Sequence, residues 1–208
     1  MLYDYLRSQY PPNEPIFLSD VTLPGVSRDA VRQQFKTLCD AGKIVRYEDG
    51  VYYIPAQTRL KGGAGLSPDL VALRKYIDRK GSTDGYYSGF TFANQVGASL
   101  QVPQVREIVT NRTNSWRRAV RIRNQEFVLR KPRVPVTAEN AKALQLLDLF
   151  KDLDSYSDLP VSQTALIIRR YMKNAGLTLS QLEAFLSSYP AKTLRMMYEV
   201  GLFKGDDS

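Results

Sequence analysis

The 208-residue sequence predicts an α+β chain in two parts. Three observations predict it. The first 55 or so residues mix short amphipathic helical stretches with short β-rich runs. A glycine-rich break, AQTRLKGGAGL, follows them. Beyond the break the charge is uneven: residues 104–135 carry nine basic and two acidic side chains, nearly the whole excess of a chain with net charge +8. The hydrophobic fraction of 43% is enough for real cores.

The elements follow in order. Leu2, Tyr5 and Leu6 give a short amphipathic helix that Pro11-Pro12 must stop. Ile16-Phe17-Leu18 is a short apolar run and reads as a strand. Ser19 can cap a brief helix through Leu23, and Pro24-Gly25 is a turn dipeptide. Ser27 can cap a longer helix from Arg28 to about Ala41. Its apolar positions Val31, Phe35 and Leu38 share one side, and Gly42 supplies its stop. Lys43–Tyr47 and Val51–Ile54 are β-rich, joined by the turn signal Glu48-Asp49-Gly50. Helix, short helix, turn, longer helix and hairpin come in the order of a winged helix-turn-helix, assigned to residues 1–58.

Residues 59–65 read as a linker. Gly62-Gly63-Ala64-Gly65 lacks the Lys-Ser/Thr that a phosphate loop needs. Residues 66–208 then read as a mixed α/β domain with a helical C-terminal half. Ser67-Pro68 opens a helix running to Lys80, and Gly81–Gly85 is a loop. GYYSGFTFANQVG reads as a short aromatic helix, for which core packing is a better use than a stacking platform. Val105–Val109 is a strand. Ala119–Arg123 and Glu126–Arg130 form a hairpin around Asn124-Gln125. Alternation along its first arm sends Arg121 and Arg123 to one outer face, with Trp116 just before them. From Thr137 the chain is helical: a stripe of Ala141, Leu144, Leu147 and Phe150, then helices at Ser162–Asn174, after a Thr178/Gln181 or Ser180/Glu183 capping box, and from Pro190 to Gly201.

Composition excludes much chemistry. With no histidine there is no Ser-His-Asp or Cys-His catalysis and no histidine zinc site. One cysteine, Cys39, permits no intrachain disulfide and reads as a small packing residue. Asp148, Asp152, Asp154 and Asp158 cluster, but a calcium loop fails at its twelfth position, Gln163, and a solvated helix end is the better reading. No catalytic residue, metal or cofactor is expected. The opening MLYDYLRSQY lacks a signal-peptide pattern, and no apolar run approaches the roughly 20 residues that span a bilayer. A cytoplasmic protein without a membrane partner is expected.

The basic balance favours an anionic partner, nucleic acid above all. Ser27, Arg28, Arg32, Gln33 and Lys36 would face the major groove, since the second helix of such a motif enters it. Arg reads guanine and Gln reads adenine through paired hydrogen bonds. Arg46 and Tyr47 on the hairpin could touch the flanking backbone. Arg117, Arg118, Arg121, Arg123, Arg130, Lys131 and Arg133 form a second basic face. That face could support the DNA contact, bind structured RNA with Trp116 stacking on bases, or dock an acidic protein.

LPGVSRDAVRQQFKTLCDAGKIVRYEDGVYYIP resembles the N-terminal winged helix of AbiEi-type antitoxins, members of bacterial type IV toxin–antitoxin systems. GYYSGFTFANQVG and VPQVREIVTN are similar to the region after that winged helix in a related branch. The resemblance covers about residues 15–130. It implies a DNA-binding autorepressor of its own operon. It also implies an antitoxin that antagonises a nucleotidyltransferase toxin without forming a stable complex with it. It implies no catalytic residue. The strongly basic central region departs from a bare winged helix.

Overall fold

In the computed structural model, residues 1–56 and 65–203 are described. The expected linker, 59–65, lies outside them apart from Gly65. The fold is α+β, in two compact units: Met1–Arg74 with Ile122–Asn124, and Lys75–Arg121 with Gln125–Ser208.

In the first unit, α1 (Leu2–Gln9) buries Leu2 and Leu6 and ends before the Pro11-Pro12 block. β1 is only Ile16–Phe17, and Leu18–Asp20 form a single 3₁₀ turn rather than the longer helix expected through Leu23. α2 spans Arg28–Asp40. Ser27 caps it, its Oγ accepting the Ala30 N–H at 3.2 Å. After Gly42, whose φ of +66° suits a residue without a side chain, the chain turns into β2 (Val45–Glu48) and β3 (Val51–Tyr53). The strand order is β1-β3-β2, with Ile16 opposite Tyr52 and Phe17 opposite Val51. β3 is therefore central, and β1 ties the front of the chain to the hairpin. Leu2, Leu6, Ile16, Val31, Phe35, Ile44 and Ile54 share one core beneath α2.

α3 (Pro68–Ala72) begins on the Ser67 cap, whose Oγ accepts the Leu70 N–H. The first unit runs on through this helix to Arg74. At its end Arg74 Nε donates to Glu14 Oε1 at 2.5 Å, a contact across the glycine-rich break. The helix expected to reach Lys80 ends earlier, in a π turn over Leu73–Ile77. β4 (Asp78–Arg79) and β5 (Ser82–Thr83) then pair across Lys80-Gly81. Both turn residues have positive φ, the geometry that closes a two-residue hairpin.

GYYSGFTFANQVG is not one helix. Its first half is β6 (Gly85–Ser88) and its second is α4 (Gly89–Val96). Gly85 suits this pairing: any Cβ there would strike the backbone oxygens of Val109 and Tyr76. Only glycine lets these three backbones approach so closely. The main sheet has the order β6-β7-β9-β8, with β7 at Arg106–Thr110, β8 at Arg117–Ile122 and β9 at Gln125–Arg130. β7 is antiparallel to β6 and parallel to β9, so the β8–β9 hairpin folds back with its second arm inward. β8 is left as an edge, and its arginines discourage further strand addition.

α5 (Ala141–Lys151) packs on β6 and against α4, and touches α8 (Leu179–Glu183) and α9 (Ala191–Glu199). One apolar stripe was expected of it. Instead it is buried on nearly every side, including Ala143, Leu146 and Leu149. It is the central helix of the second unit, whose core also takes Tyr86, Phe92, Ile168 and Met197. Between lie α6 (Leu153–Tyr156) and α7 (Val161–Ala175), the latter closed by Gly176. Thr178 and Gln181 make both bonds of the capping box, so that alternative is the one used.

Candidate nucleic-acid interface

On α2 the division of faces is clean. Val31 and Phe35 are buried, while Arg28, Arg32, Gln33 and Lys36 are exposed. Arg28, Arg32 and Lys36 recur every fourth residue, so they form a stripe about 12 Å long at 1.5 Å per residue. Arg32 shares an exposed ion pair with Asp29 at 3.1 Å. Such a pair is worth little and gives way cheaply to a stronger anion. Among the described residues Arg28 and Lys36 have no carboxylate partner. Ser27 is exposed, and its hydroxyl is engaged as the cap.

The hairpin is different from expectation. Arg46 is exposed and pairs with Asp49 at 2.5 Å. Tyr47 is not a surface contact: it is only 8% exposed. Consecutive strand residues face opposite ways, and the register shifts between Arg46 and Glu48, so Tyr47 turns inward where Arg46 turns out. The Arg123 guanidinium lies 4.7 Å from the Tyr47 ring centroid and covers it.

The seven residues expected to make one basic face divide into groups. Arg117, Arg118, Lys131 and Arg133 are exposed beside Trp116. Arg121 pairs with Glu126 across the hairpin at 2.8 Å. Arg123 leaves the strand, because β8 ends at Ile122 and the turn is Arg123-Asn124, with φ of +53° at Arg123. The alternation that was to place it beside Arg121 therefore stops one residue short. Arg130 faces inward, half-buried, donating to Glu107 Oε1 at 2.5 Å.

The sequence reading missed what lies near Arg130. Asp148, expected at a solvated helix end, is 5% exposed. Its Oδ2 accepts from Tyr86 Oη at 3.0 Å and from Ser88 Oγ at 3.5 Å. Tyr189, beside Tyr86, donates to the Leu144 carbonyl at 3.2 Å. Burial pushes the Asp148 carboxyl above the usual carboxylate range, against the opposing charges of Lys151, Arg130 and Arg133 and the Tyr86 hydrogen bond. A signal was there: Ala141, Leu144 and Asp148 share one helical stripe, so an acid sat among core positions. The other acids are separate. Asp152 pairs with Lys151 and Asp154 with Lys192. Among the described residues no three His, Cys, Asp or Glu side chains group as metal ligands would.

Asp148 fixes the sign of one pH effect. Its folded-state pKa is raised, so its contribution to stability is complete below the ordinary value of 3.8 and is lost as pH rises through the folded value. Asp148→Asn should therefore gain stability relative to the parent over that interval, approaching tenfold in the folding constant per pH unit, and run parallel above it. Urea midpoints of both proteins across roughly pH 3.5–8 test this. A difference that is flat or falls with pH contradicts it.

No protein-family model matches the chain, and no curated protein matches it. Among the described residues no helix is long and apolar enough to cross a membrane.

Proposed function

We propose that residues 1–58 form a winged helix-turn-helix, with α2 as the recognition helix and β2–β3 as the wing. On this reading the chain is a sequence-specific DNA-binding autorepressor and the antitoxin of a type IV toxin–antitoxin pair. The observation that carries the DNA half is the exposed face of α2: three cations in a row and one amide, Gln33, on a helix held from beneath by Phe35. Cations on that spacing match phosphates and guanine edges, and an amide matches adenine. The antitoxin half, with a nucleotidyltransferase toxin as functional partner and no stable complex, rests on the AbiEi-type resemblance of residues 15–130. No catalytic role, cofactor or metal enters the proposal, and the site of action is the cytoplasm.

The test is a titration of the full chain on DNA from upstream of its own gene, on scrambled DNA and on bulk tRNA, each at two salt concentrations. Upstream DNA should bind most tightly. Gln33→Ala should weaken that binding by about 1–3 kcal/mol and leave scrambled DNA almost unchanged. Equal losses on both DNAs would remove the base-reading role. No DNA binding beside a co-purifying acidic protein would favour the docking alternative.

A further inference from the structure

Trp116 is the only tryptophan of the chain and is 61% exposed. A ring of that size costs free energy when left in water. Its position is fixed from the backbone. The two-residue turn at Arg123-Asn124 sets Arg121 opposite Glu126 and Trp116 opposite Lys131. Both pairings are seen: the 2.8 Å ion pair, and the Lys131 N–H donating to the Trp116 carbonyl at 3.3 Å.

Four exposed cations lie near the indole along the hairpin, and one of them is at the ring. The Arg133 guanidinium is 5.9 Å from its centroid; Lys131, directly across, and Arg118, two residues along β8, share its face by strand alternation, while Arg117 faces the other way. Arg133 also lies 5.6 Å from the Tyr189 ring and donates to the Ser188 carbonyl at 3.4 Å, so it is held between two aromatics. Among the described residues none of the four is paired with a carboxylate, unlike Arg121 and Arg130.

We infer that this end of the β8–β9 hairpin is a binding site for single-stranded nucleic acid. An unstacked base lies on the Trp116 indole, and neighbouring phosphates meet Arg118 and Lys131. Each component excludes a rival. Duplex DNA would satisfy the cations but keeps its bases stacked inside, where the indole cannot reach them. An acidic peptide would satisfy the cations and has no need of the ring. Single strands use both, because every base has a face to stack and a phosphate beside it. The inference stands independently of the DNA-reading role of α2, which belongs to the other unit.

Trp116 supplies its own probe, since all tryptophan emission comes from this site and stacking quenches it. The full chain is titrated with twelve-residue oligo(dT) and oligo(U), a twelve-base-pair duplex, and heparin, a polyanion without bases. Both single strands should quench the emission by half or more, and the duplex and heparin should not. Stronger quenching and binding by oligo(U) would assign RNA as the ligand, and equal response would assign single strands of either sugar. Trp116→Ala, at an exposed position that the fold does not need, should weaken binding of a labelled single strand about tenfold or more. Replacing Arg118 and Lys131 by alanine should lower the salt slope by about 1.4. No quenching by either strand, equal quenching by heparin or duplex, or full affinity in Trp116→Ala would each overturn the inference. Failure of upstream-DNA binding alone would not touch it.

Discussion

Replacing Arg28, Arg32 and Lys36 together by alanine is expected to cost on the order of 100- to 1,000-fold in affinity for upstream DNA, at about 1–3 kcal/mol for a base contact and less for a phosphate contact. All three side chains are exposed, so the fold loses only one exposed ion pair, Arg32 with Asp29. The first 60 residues carry equal numbers of basic and acidic groups, so there is no broad positive field to replace the lost contacts. The slope of log affinity against log salt should fall by about 2–3, close to 0.9 for each phosphate contact removed. An unchanged slope with unchanged affinity would show that α2 does not meet DNA. Trp116 emission in the presence of single strands should be unaffected by this variant, which separates the two proposed sites.

Phe35→Ala should produce the largest loss of stability. Phe35 is fully buried, on the inner face of α2, with its ring centroid 4.8 Å from that of Tyr52. Truncating such a residue costs about 3–5 kcal/mol, from lost burial and the cavity left behind. A unit of this size is held by a margin of the same order. The prediction is that amides of residues 1–56 lose protection against hydrogen exchange while those of α5 and the main sheet keep theirs. Binding of upstream duplex DNA should vanish with the first unit. Simultaneous loss of protection throughout would show that the two units unfold as one.

Much of the architecture was legible. The Ser27 cap, the α2 apolar face, the Asp49-Gly50 turn, the Thr178/Gln181 box and the Gly42 and Gly176 stops all depend on residues within a few positions of one another. Local chemistry of that kind is written in a short window of sequence. The errors share a different origin. GYYSGFTFANQVG reads as one helix, but its first half, Gly-Tyr-Tyr-Ser, is a strand paired with β7, where Gly85 meets the backbones of Val109 and Tyr76. Asp148 read as solvated because its nearest acids are. Its burial comes from Tyr86 and Ser88, about 60 residues earlier, and from helices later in the chain. Tyr47 reads as a surface residue and is buried, with the exposed Arg123 lying over its ring.

The sequence by itself determined the α+β class, the order of the N-terminal elements, the cations of α2, the concentration of charge in residues 104–135, and the exclusion of histidine chemistry. Only the tertiary structure decided which of those charges are available. It drew Arg130 inward onto Glu107, set Arg121 in an exposed pair with Glu126, and left Arg118, Lys131 and Arg133 without a carboxylate partner near an exposed Trp116. The physical reason is that a charge in a sequence is only a count. Its strength as a binding group depends on burial and on the nearest opposite charge, and both are set by residues distant in the chain.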